Sequence, residues 1–164
     1  MRAEPHRLVG EVASLLQRRG CSVAVAESCT GGWLAKLMTD LPGSSAWFER
    51  GVVTYSNAAK VEMLGVREET LTVHGAVSAA TVTEMAEGLL RRSHADHGVA
   101  ISGVAGPDGG TPDKPVGLVW IAWAGRAAAA EPEQYQFTGD RESVRLQAAE
   151  TALRGLIRRL ERDG

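Results

Sequence analysis

Ser28 stands where a run of alternating small and branched apolar residues, Ser22-Val-Ala-Val-Ala-Glu27, gives way to Cys29-Thr-Gly-Gly-Trp33. Leu34, Ala35, Leu37 and Met38 then recur at helical spacing. The pattern reads as strand, tight turn, helix, with Ser28 at the corner. Such a corner aims a hydroxyl past the strand end and points the first free amides of the helix the same way. Gly31 and Gly32 lack Cβ atoms and allow a ligand close to the backbone. Ser28 is therefore a candidate nucleophile beside an oxyanion hole. Equally, Ser28 or Thr30 could be no more than a helix N-cap.

A serine nucleophile needs a base, and the four histidines offer no recognisable triad. His74 alone falls in a plausible site loop, and there is no Gly-x-Ser-x-Gly elbow. Lys60 is the better candidate. With Ser56 or Asn57 as cap it lies in the first turn of a helix, where the macrodipole disfavours a cation and favours loss of its proton. Tyr55, at the preceding strand end, could pass protons between the two. The bland alternative is a solvated lysine near Glu62. Arg141 and Arg145 stand one turn apart at the start of the last helix and would suit a phosphate, or else form a solvated basic face beside Asp140 and Glu142. No Cys-x-x-Cys and no His-Glu-x-x-His occurs, so neither a metal site nor a cofactor is expected.

The elements that must position these groups alternate. Helices are expected over 5–19, from about 30 to 40, over 58–64, from Ser78 to about Ser93 and over 140–162. Strands are expected over 22–27, 46–55, 99–103, 116–123 and 133–138. Residues 66–77 read as a connection, and 104–115 as a long loop of the kind that is usually functional. This order predicts one three-layer α/β/α sandwich over residues 1–164 with a mixed, mainly parallel sheet. A weak internal echo, Val23-Ala…Ser28 and Val99-Ala…Ser102, runs two strands into Gly-rich loops. If those strands are parallel, both loops open on one sheet edge, where α/β proteins bind ligands.

The totals fit this reading. The chain has 164 residues, 44% hydrophobic and 23% charged, with a net charge of −2, and nothing in that balance calls for nucleic acid or a membrane surface. Only 3 lysines stand against 15 arginines, so each lysine is conspicuous. Cys21 and Cys29 flank a strand too long to be bridged, and two unpaired thiols fit a reducing cytoplasm. The first seven residues lead into no long apolar run, and no signal peptide or membrane span is expected.

Four segments together resemble the CinA C-terminal domain family: Ala26-Glu-Ser-Cys-Thr-Gly-Gly32, Gly51-Val-Val-Thr-Tyr-Ser-Asn-Ala-Ala-Lys60, Gly75-Ala-Val-Ser78 and Ser102-Gly-Val-Ala-Gly-Pro-Asp-Gly-Gly-Thr111…Lys114-Pro-Val-Gly117. They fall in order across residues 5–160. The resemblance implies hydrolysis of the carboxamide of nicotinamide mononucleotide to nicotinate mononucleotide and ammonia. It assigns Ser28 as nucleophile, Lys60 as base and Tyr55 as their partner. Thr30, Gly31 and Gly32, with Gly103, Gly106, Gly109, Gly110 and Thr111 of the long loop and Arg141 and Arg145, would hold the substrate. Some members are known only as a domain of competence/damage-inducible proteins, so a nucleotide-binding or regulatory module without catalysis is the alternative. The resemblance also implies a homo-oligomer. Trp120 and Trp123 have opposite strand parity, so one of them needs cover on the second face of the sheet or in a partner. A homodimer is expected.

Overall fold

The computed structural model describes residues 3–163; Met1 and Arg2, at the head of the stretch read as lacking a leader, and Gly164 lie outside it. Helix α1 (Ala3–Arg19) buries Leu8, Val9, Val12, Ala13 and Leu16, one stripe of an amphipathic helix. Strand β1 (Val23–Glu27) is buried at every position. Helix α2 (Trp33–Thr39), a 3-10 turn at Ser44–Ala46 and strand β2 (Phe48–Val53) follow. Helices α3 (Asn57–Leu64), α4 (Glu68–His74) and α5 (Ala79–Arg91) lead into β3 (His97–Gly103). A hairpin of β4 (Leu118–Gly125) and β5 (Ala128–Gln136) precedes the long α6 (Arg141–Arg162).

The five strands lie in the order β2-β1-β3-β4-β5. β2, β1 and β3 pair in parallel, and β4 runs antiparallel to both its neighbours, so four strands point one way. Period-two alternation gives the sheet two different faces. Val23, Val25, Val99, Ile101, Val119 and Ile121 meet α1, α2 and α6, while Ala24, Ala26, Ala100 and Ala122 meet α5. The alanine face lets α5 lie close to the strands. Gly88 takes α5 equally close to α3, since a Cβ there would fall 1.7 Å from the Leu64 carbonyl oxygen. The three-layer architecture follows, as the alternation of elements predicts.

Strand ends differ from the sequence reading by about two residues in β2, β3, β4 and β5, and four differences are larger or instructive. α2 starts at Trp33 and not near 30, because Gly31 and Gly32 take φ of +59° and +100° and hold residues 28–32 in a turn. β2 starts at Phe48, after the 3-10 turn. Residues 68–74 are helical, although Glu68-Glu-Thr-Leu-Thr-Val-His74 has no apolar periodicity and buries only Thr70. β5 begins five residues before Glu133, across alanines and Pro132 that carry no strand signal; Pro132 is tolerated because β5 is a sheet edge.

The tryptophan parity holds: the chain buries Trp123 on one face of the sheet and covers Trp120 in part on the other. Trp123 is buried under α6, where its Nε1 donates to the Ala152 carbonyl at 3.0 Å and the Arg159 guanidinium lies 4.0 Å from its ring. Gly155 makes room, since a Cβ there would come within 2.1 Å of the indole. Trp120 packs half-buried on the alanine face. Trp47 is buried just before β2 and is not part of a strand.

Candidate active site

β1 and β3 are parallel neighbours in the register Val25↔Val99 and Glu27↔Ile101, so their following loops do open on one edge. The Ser28 N–H extends the pairing by donating to the Ile101 carbonyl at 3.0 Å, and this fixes the serine at the strand end. Gly31 N–H closes the turn on the Ser28 carbonyl at 3.0 Å. Ser28 is 8% exposed and its hydroxyl is no N-cap: it meets the Lys60 ammonium nitrogen at 3.1 Å.

Lys60 reaches Ser28 from α3, whose N-terminus is held by the Ser56 hydroxyl accepting from Ala59 N–H. The side chain is 1% exposed. Its Nζ donates to the carbonyls of Thr54 at 2.8 Å and Tyr55 at 3.1 Å as well as to Ser28. It forms no ion pair with a carboxylate among the described residues, and burial pushes its pKa below the ordinary lysine value. Cys29 beside it cannot compensate the charge, since burial raises its thiol to about 12.

Around this pair lies a cleft of about 320 Å³. Gly103, Gly106 and Gly109 of the long loop line it, with Ser102, Asp108 and Arg141, and Ala76 and Val77 form the opposite wall. Arg141 donates to the Gly106 carbonyl at 2.8 Å and to the Tyr55 hydroxyl at 3.2 Å. Tyr55 therefore meets Lys60 through its backbone carbonyl, while its phenol, on a residue 60% exposed, is held by Arg141 at the rim. Lys114 of the long loop donates to the His74 carbonyl and ties the two walls together.

The other expected groups lie elsewhere. Gly110 packs under Val116, and Thr111 spends its N–H and hydroxyl on a turn with Lys114. Thr30 is fully buried, with no partner for its hydroxyl. Gly31, Gly32 and Arg145 line a separate cleft of about 670 Å³ on the far side of the turn. Arg145 does not share the Arg141 site, because it donates to the Cys29 and Thr30 carbonyls, each at 3.0 Å, and lies 5.4 Å from the Trp33 ring.

The first amides of α2 are not free, contrary to the sequence reading. The fully buried Glu27 carboxylate accepts from Leu34 N–H at 3.0 Å and Ala35 N–H at 2.9 Å. The Cys29 N–H, in the wall of the Ser28 cleft, makes no hydrogen bond to another of the described residues. Glu27 and Ser102 were not among the expected site residues. An acid at the end of an otherwise apolar strand, and the second serine of the Val-Ala echo, were the available signals. Among the described residues no group of three His, Cys, Asp or Glu is placed to hold a metal ion, and no helix is long and apolar enough to cross a membrane.

Comparison with known proteins agrees across almost the whole chain. The family model described as the CinA C-terminal domain matches residues 5–160. The nicotinamide-nucleotide amidohydrolase PncC of Escherichia coli K12 is 55% identical over 154 residues, 94% of this chain and 93% of that protein. The protein of the same name from Enterobacter agglomerans is 55% identical over 157 residues, 93% of this chain and 96% of that one. A putative competence-damage inducible protein of Symbiobacterium thermophilum is 53% identical over 156 residues, covering 90% of this chain but 36% of its own length. Among solved structures, the competence/damage inducible protein CihA from Agrobacterium tumefaciens superposes with a TM-score of 0.95 at 42% identity, covering 98% of both chains. A CinA superfamily protein from Klebsiella pneumoniae gives 0.93 at 45% identity, covering 96% of this chain and 98% of that one.

Proposed function

The chain belongs to the CinA C-terminal domain family, and we propose that it hydrolyses the carboxamide of nicotinamide mononucleotide to nicotinate mononucleotide and ammonia, with Ser28 as nucleophile and Lys60 as base. The observation that carries this reading is the buried Lys60 Nζ held 3.1 Å from Ser28 Oγ by two backbone carbonyls. A binding module has no use for a buried lysine that sits beside a serine hydroxyl and pairs with no carboxylate among the described residues.

In the proposed reaction neutral Lys60 takes the Ser28 proton as Oγ attacks the amide carbon. The oxyanion forms beside the Cys29 N–H. The C–N bond then breaks, and Lys60 returns the proton to the departing nitrogen, which leaves as ammonia. Water attacks the resulting ester with Lys60 again as base. The acid departs as Ser28 regains its proton. Arg141 holds the phosphate, and Ser102 and Asp108 face the ribose and ring. Tyr55 serves through its carbonyl, which orients Lys60, and through its phenol, which orients Arg141. The two free cysteines support a cytoplasmic setting. A homodimer belongs to the same reading; the unpaired edges of β2 and β5 leave the sheet open to a second copy.

Ammonia release from nicotinamide mononucleotide by the purified chain tests the reading directly. Turnover that disappears in Ser28→Ala supports it. Tight binding of the nucleotide without ammonia release would leave a non-catalytic module instead. The nucleoside lacking the 5′-phosphate should lose about tenfold or more in kcat/KM, the scale of one charge-assisted contact. Equal activity on both would remove Arg141 from phosphate binding.

A further inference from the structure

The larger cleft, behind the nucleophile turn, has no part in the reaction above. Its charged wall consists of Arg145, Lys36 and His6 against a single acid, Asp40. Lys36 lies 2.7 Å and His6 3.9 Å from the Asp40 carboxylate, so that acid is already engaged. Arg145 forms no ion pair with a carboxylate among the described residues. Further along α6, Arg154, Arg158, Arg159 and Arg162 all do. Arg145 gives Nε and Nη2 to neutral carbonyls, and its Nη1 makes no hydrogen bond among the described residues. A half-buried guanidinium that faces a cleft of about 670 Å³ and pairs with no carboxylate among the described residues is unbalanced charge in a space of ligand size. Arg141, one turn earlier, is equally unpaired in the Ser28 cleft, where the proposed function supplies a phosphate. The Trp33 ring adds a planar apolar surface to the second cleft.

We propose that this second cleft is a regulatory site for a nucleoside phosphate, with the phosphate on Arg145 and Lys36 and the base against Trp33, and that its occupancy slows turnover at Ser28. The link is the guanidinium itself. The Cys29 and Thr30 carbonyls that it holds belong to the turn carrying the nucleophile. A phosphate is a stronger acceptor than a neutral carbonyl, so binding draws Arg145 off the turn and loosens Ser28. The regulatory effect rests on the amidase reading; the binding does not.

Calorimetric titration of the full chain with adenosine monophosphate separates the two. We expect binding that Arg145→Gln and Lys36→Glu each weaken by about tenfold or more, and that Arg141→Gln leaves intact. Adenosine should not bind detectably, and inorganic phosphate should bind more weakly than the nucleotide. In the ammonia assay the nucleotide should lower kcat and leave KM unchanged. Lys36→Glu, whose side chain is exposed and far from the chemistry, should keep wild-type turnover and lose this inhibition. If Arg145→Gln fails to fold, Lys36→Glu decides alone. Absence of binding at millimolar nucleotide, or binding abolished by Arg141→Gln alone, overturns the site. Phosphate binding as well as the nucleotide overturns the ligand class, and purely competitive inhibition overturns the coupling. Were no amide hydrolysed at all, the titration would still report on the cleft.

Discussion

A neutral Lys60 amine carries two hydrogens, and the Thr54 and Tyr55 carbonyls take both. Its lone pair is then left for the Ser28 proton, which is the orientation a base requires. A lysine charged at neutral pH would instead donate three bonds and hold Ser28 as an acceptor. Two outcomes follow at this scale. Lys60→Arg should cost at least about 100-fold in kcat, as Lys60→Ala does, because a guanidinium keeps its proton. An active arginine variant would show that charge, and not proton transfer, is what the site needs. The pH profile of kcat/KM should rise as Lys60 loses its proton, at a pH below the ordinary lysine range, and then level off. The same displacement sets a sign for stability. Between the folded pKa and the unfolded value near 10.4 the unfolded chain binds more protons, so wild-type stability rises with pH across that window. Denaturant titrations at neutral pH and at about pH 10 should show that increment in wild type and not in Lys60→Met. Tyr55→Phe tests the other assignment. With the phenol on Arg141 it should raise KM several-fold and spare kcat; a proton relay would reverse that split. Ser28 and Lys60 were legible in the sequence because a hydroxyl after an apolar strand and a lysine in a helix's first turn both break local expectation. The destination of the Tyr55 phenol was not, since it depends on Arg141 86 residues away.

The Ser28–Gly32 turn is held from both sides by side chains of opposite charge. Glu27 takes the amides that follow it, and Arg145 takes carbonyls within it. Glu27→Gln keeps the shape but replaces one acceptor oxygen with a donor facing an amide. It should destabilise the fold by about 1–3 kcal/mol and lower kcat more than it raises KM. Denaturation midpoints together with steady-state kinetics check both effects, and a change in stability alone would make Glu27 a purely structural clamp. Gly155→Ala makes an independent test of the large core. Its Cβ meets the Trp123 ring, so about 1–3 kcal/mol should be lost on denaturation with little change in KM. Elements with a clear period were readable from the chain, as α1, α5 and α6 show. α4 was hidden because its short, β-branched sequence buries almost nothing. The start of β5 was hidden because pairing with β4, and not its own alanines, makes it a strand.

In the whole molecule, Trp123 lies buried under α6 and Trp120 packs half-buried on the alanine face, so the opposite parity of the two rings does not require a partner. What remains for the homodimer is the pair of open sheet edges and the resemblance. Light scattering at micromolar concentration should give twice the 17.4 kDa monomer mass, and the monomer mass would remove the dimer from the reading. The long loop after β3 has a different consequence. Its base is stitched shut where Val104 N–H donates to the Leu118 carbonyl at 2.9 Å and Gly117 N–H to the Val104 carbonyl at 2.7 Å. The β3–β4 register is therefore set below the loop, by these two bonds and the strand pairing, and not by the residues that line the cleft. The segment thus hangs from the sheet by its base, and the residues it turns toward the Ser28 cleft can be exchanged as a block while the strands beneath keep their pairing. Grafting residues 105–116 from a relative should transfer that relative's substrate preference at nearly unchanged melting temperature.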